Sequence, residues 1–78
     1  MDEFDYLISG EMVRIQQVYR YWKAWVFSPR KREWQQICGR SIPESDGTPN
    51  FLASARKAYA EEVAADMPRM RAAYPWMY

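Results

Sequence analysis

Residues 11–27 read EMVRIQQVYRYWKAWVF, and whether this run is helix or strand decides the fold. Its β-branched and aromatic content suits a strand, so periodicity has to arbitrate. At ~100° per residue, Met12, Ile15, Val18, Tyr19, Trp22, Trp25 and Val26 fall within an arc of about 140°. Arg14, Gln16, Gln17, Arg20 and Lys23 lie outside it. The alternating set from Val13 to Phe27 instead places Gln17 and Lys23 among the apolar side chains, and no turn residue interrupts the run. The sequence therefore predicts an amphipathic helix over 11–27 that turns Tyr19, Trp22 and Trp25 inward.

Outward from that run, Ser28-Pro29 has the form of a helix start, with Ser28 as N-cap and Pro29 at the first helical position. A second helix over 29–38 follows, with Trp34, Ile37 and Cys38 on one face and Gly39 as its left-handed stop. The stretch GRSIPESDGTPN, residues 39–50, is a loop by its Gly, Pro, Ser and Asp content. Thr48-Pro49 repeats the start signal and opens an alanine-rich helix over 49–66 with Leu52, Ala55, Tyr59 and Val63 inside. Pro68 ends or kinks that helix, and Phe4, Leu7 and Ile8 suggest a short N-terminal helix stopped near Gly10. The predicted fold class is all-α: residues 1–78 as one domain, a compact bundle of three main helices with short helical ends.

A chain of 78 residues buries only about 60% of the surface of its unfolded form, so large apolar side chains are scarce and valuable. Aromatics make up 17% of this chain, enough to leave some at the surface and to suggest an interface. Cys38 is the single cysteine and histidine is absent, so neither an internal disulfide nor a Cys/His zinc site can form. The acidic start MDEFDYLISG lacks the cations of a signal peptide, and no window approaches the ~18 apolar residues of a membrane span. A reducing, cytosolic setting is the expectation.

Charge is unevenly distributed behind a net value of +1. Residues 1–11 carry four acids and no cation; residues 12–43 carry seven cations against Glu33 alone; residues 44–78 carry four cations and five acids. Within the basic middle, Arg30-Lys31-Arg32 would occupy the first turn of the second helix, where the backbone dipole disfavours cations. Such a cluster points to a phosphate backbone or an acidic protein surface as target, with Arg14, Arg20 and Lys23 as extensions. Tyr21, Phe27, Trp76 and Tyr78 are candidate contact residues, because Trp, Tyr and Arg are enriched at interface centres.

Catalysis finds little to work with. General acid–base chemistry lacks histidine, Cys38 lacks an activating neighbour, adjacent Glu61 and Glu62 diverge on a helix, and no glycine-rich phosphate loop occurs. No cofactor or metal site is expected. The sequence reads as a non-catalytic protein-binding module that inhibits or regulates a larger nucleic-acid-handling complex through a basic and aromatic surface. In size and style it matches small phage inhibitors such as anti-CRISPR proteins and polymerase inhibitors, an analogy with no motif behind it. Two readings compete with it: a helix-turn-helix-like nucleic-acid module, and a homodimeric assembly protein paired through Ala53, Ala60 and Ala64 or through the tail.

Overall fold

Strand pairing begins at once and runs through the first half of the chain. The computed structural model describes residues 2–78 and shows four strands followed by one helix: β1 (Asp2–Ile8), β2 (Glu11–Val18), β3 (Tyr21–Ser28), β4 (Glu33–Ser41) and α1 (Phe51–Ala73). The strands form an antiparallel meander in the order β1-β2-β3-β4, and α1 covers one face. The all-α bundle expected from the sequence is thus overturned, together with its helices over 11–27 and 29–38 and its N-terminal helical turn.

The physical reason lies at Tyr19-Arg20. Val18 pairs with Tyr21, so these two residues are the whole connection, and Tyr19 takes a left-handed φ of 59°. A two-residue hairpin changes the parity of the inward positions: Val13 and Ile15 face α1 from β2, and Trp22, Ala24 and Val26 from β3. Each half alternates with period 2, but the change of parity spoils alternation over the full run and imitates a helical stripe. Glycine or asparagine, the usual residues at such a turn, are absent from it. Ser9-Gly10, by contrast, joins β1 to β2 with both residues left-handed, at φ 52° and 80°.

Ser28-Pro29 opens a single turn, not the helix that the sequence predicts. The Arg32 amide donates to the Ser28 carbonyl at 2.7 Å and the Lys31 amide to Ser28 Oγ at 3.2 Å; Arg32 is left-handed and the chain re-enters the sheet as β4. No helix begins here, so no helix dipole acts against Arg30, Lys31 and Arg32. Ala24 pairs with Cys38 and Trp25 with Gln36, leaving Ile37 as the extra residue of a β-bulge. Gly39 is an ordinary strand residue beneath the Tyr21 ring, not a helix stop.

The predicted helix over 49–66 exists with shifted bounds. Its N-cap is left-handed Asn50, and it passes through Pro68 to Ala73. Pro68 forfeits one backbone hydrogen bond, but buried Met67, partly buried Met70 and the Arg71 ion pair to Glu11 hold the last turns on the sheet. Tyr59, Ala60, Val63, Ala64 and Met67 close over Val13, Ile15, Trp22, Ala24 and Val26, with Trp22 stacked on Tyr59 at 6.1 Å. Ala60 and Ala64 are spent on this packing, so the alanine stripe does not offer a dimer surface. Cys38, expected in the core, is exposed, although its sulfur reaches the Tyr59 hydroxyl at 3.2 Å. No helix among the described residues is long and apolar enough to cross a membrane.

Candidate interaction surfaces

Antiparallel topology sends the Ser9-Gly10 and Pro29–Arg32 turns to one end of the sheet and the Tyr19-Arg20 turn to the other. The C-terminal segment returns to the first of these ends. There Ser28 Oγ donates to the Met77 carbonyl at 3.0 Å, and the Arg30 guanidinium donates to the Pro75 carbonyl at 2.9 Å. Ser28 is fully buried, so this tie is anchored in the fold rather than at the tip of a loop. These bonds tie the turn that bears exposed Lys31 and Arg32 to the C-terminal segment, where the Tyr74 and Trp76 rings meet edge to face at 5.7 Å. Trp76 is 61% exposed.

A second surface is the sheet face that α1 leaves open. One apolar row crosses it: Leu7, Met12, Phe27 and Trp34, from β1 to β4. Asp5, Arg14, Trp25 and Gln36 form the next row, and Glu3, Gln16, Lys23 and Gly39 the third. Arg14 donates to both Asp5 oxygens, at 2.7 and 3.0 Å, and lies 3.7 Å from Glu3. The guanidinium bond holds the Asp5 carboxyl below its ordinary pKa, and the carboxylate in turn pushes Arg14 up. Phe27 meets Trp34 edge to face at 5.5 Å. Glu3, Arg14, Gln16, Trp25 and Trp34 surround a shallow hollow of about 150 Å³.

The candidate residues of the sequence therefore separate. Arg30, Lys31 and Arg32 lie on the turn that Arg30 ties to Pro75, the residue before Trp76. Tyr78 joins that segment but packs inward against the core cluster. Arg14, Tyr21, Lys23 and Phe27 share the open face, where Arg14 is already paired and Tyr21 covers Gly39. Arg20 stands at the opposite end, 5.9 Å from the Tyr19 ring, and does not extend the basic turn. Sequence reading missed Leu7, Met12, Trp25, Trp34 and Tyr74. The alternation Trp25-Val26-Phe27 against Trp34-Gln35-Gln36 is the signal that could have found the open-face aromatics, once the strands were known. Compared with known proteins, the chain matches no family model, no curated protein and no solved structure.

Proposed function

We propose that the chain is a non-catalytic protein-binding module that docks its basic turn and the adjoining C-terminal aromatics on an acidic surface of a larger protein. The observation that carries this reading is the Arg30–Pro75 hydrogen bond, which ties the basic turn to the segment that bears exposed Trp76. Tryptophan, tyrosine and arginine dominate binding hot spots, and a patch already ordered in the free protein has little entropy to lose on docking. Lys31 and Arg32, which form no ion pair among the described residues, supply charge complementary to carboxylates. Occupying such a surface is how an inert chain would inhibit or regulate the larger complex expected from the sequence. The histidine-free composition and the engagement of the Cys38 thiol with a buried phenol support a role without chemistry.

Affinity capture with the wild-type chain, the Trp76→Ala variant and a Lys31→Glu, Arg32→Glu double variant tests the proposal. One protein should be captured by the wild type and lost with both variants, and nuclease treatment should leave the capture unchanged. Capture that survives both variants, or that disappears with nuclease, overturns the reading; binding to a phosphate backbone would also show a steep salt slope.

A further inference from the structure

The open face is patterned for a second copy of this chain, and we infer that two copies pack face to face as a four-on-four sandwich. An uncovered sheet face bearing Leu7, Met12, Trp25, Phe27 and Trp34 exposes apolar area of the kind that marks an interface, and Leu7 is 71% exposed. Stacked sheets pack about 10 Å apart with strands aligned to within ~30°.

The layout selects one symmetry. A two-fold axis running along the strands exchanges β1 with β4 and β2 with β3, and keeps each residue at its height along the strand. Leu7 then meets Trp34 of the second copy, and Met12 meets Phe27, so the apolar row lies on itself. In the next row, Arg14 meets Trp25 and Asp5 meets Gln36; in the third, Gln16 meets Lys23 and Glu3 meets Gly39. No like charges face each other. An axis perpendicular to the strands would instead lay the apolar row on Glu3 and Lys23.

Charge favours this occupant over nucleic acid. Glu3 and Asp5 on the face would repel phosphates, and Arg14, the central cation, already carries its own counter-ions. Because Arg14 and Asp5 neutralise each other within each copy, covering that pair costs less than covering a lone charge. A net charge of +1 adds almost no repulsion between copies. Four strands ~4.8 Å apart and seven residues at ~3.4 Å give roughly 450 Å² of plane per copy. With side-chain relief, two copies reach the low end of the ~1,200–2,000 Å² of specific interfaces, so the dimer should be reversible and form at micromolar concentration.

Sedimentation equilibrium of the full chain from about 1 to 500 µM tests the inference. A monomer–dimer equilibrium is expected, with the dissociation constant rising at least tenfold on Leu7→Arg. Leu7 lies outside the core, so this variant should keep the wild-type circular dichroism; Met12→Lys serves as a second probe of the same row. Trp76→Ala and Lys31→Glu, which alter the proposed docking patch, should leave dimerisation unchanged, so the two proposals can fail separately. A monomer at 500 µM overturns the inference, as does a dimer indifferent to both Leu7→Arg and Met12→Lys. So does a monomer whose tryptophan fluorescence is quenched by a single-stranded oligonucleotide, which would assign the face to nucleic acid.

Discussion

The Arg14 guanidinium lies 4.0 Å from the centroid of the Trp34 ring, although β3 separates their strands. Trp34 reaches this position by leaning across β3, with Phe27 against its edge, so one side chain ties three strands on a face that has no second layer. Trp34→Ala removes a cation–π contact worth ~0.5–1 kcal/mol and an aromatic pair worth ~0.5–1.5 kcal/mol. We expect a loss of about 1–2 kcal/mol in urea unfolding at low micromolar concentration. A loss below a few tenths would show that the tie does not bear on stability.

Asp5 links the same guanidinium to acid stability. Its folded pKa is lowered by the Arg14 bond, so its contribution is present above the unfolded carboxyl pKa, near 4, and fades as pH falls through the lower folded value. Because Asp5 is partly exposed, solvent screening holds the effect to well under ~1 kcal/mol. Comparing urea midpoints at pH 7 and pH 3, Asp5→Asn should narrow the difference seen in the wild type. An unchanged difference would assign the acid sensitivity elsewhere.

At the other edge of the core, Arg71 grips both oxygens of Glu11, a residue only 7% exposed. Arg71→Ala strands a buried carboxylate, whereas Glu11→Gln keeps an acceptor for the guanidinium. The first should cost about 2 kcal/mol and the second roughly half as much. In a domain of this size 1 kcal/mol shifts Tm by ~4–8 °C, so melting curves resolve the two. Equal effects would mean that helix-end packing, not the pair, sets the loss.

Gly39 shows how closely two strands approach. A Cβ there would lie 2.5 Å from the Tyr21 ring and 2.8 Å from the Trp22 carbonyl oxygen. The tyrosine can swing aside, but the carbonyl belongs to the sheet ladder. Gly39→Ala should therefore destabilise by ~1–3 kcal/mol, and adding Tyr21→Ala should recover only part of it. Full recovery in the double variant would place the whole clash on the ring.

What the sequence made legible follows from which signals were local. The helix beginning near Thr48-Pro49, with Tyr59 and Val63 inside, rests on helix formers and a start signal within a few residues, and it is present. The same kind of start signal at Ser28-Pro29 opens a turn between strands and no helix. The strands depend on pairings up to twenty residues apart, such as Tyr21 with Ser41, and these leave no trace in local propensity. Residues Arg30 to Arg32 and Trp76 were legible as contact candidates from composition, but their meeting depends on the return of the chain end to β3. The open-face row was hidden because its members belong to four different strands.

The Tyr19-Arg20 turn carries the one substitution that separates the two readings of residues 11–27. Tyr19 is 88% exposed and left-handed, a conformation that costs an ordinary L-residue ~1–2 kcal/mol and asparagine less. Tyr19→Asn should therefore stabilise by about 0.5–1 kcal/mol, without the added unfolded-state freedom that glycine brings. Tyr19→Val, β-branched and least tolerant of positive φ, should destabilise by about 1 kcal/mol. In a helix the tyrosine would lie on the inner stripe, and its replacement by asparagine would weaken the fold. Thermal melts of the three proteins thus yield opposite orders, Asn above Tyr above Val for the hairpin and Tyr above Asn for the helix.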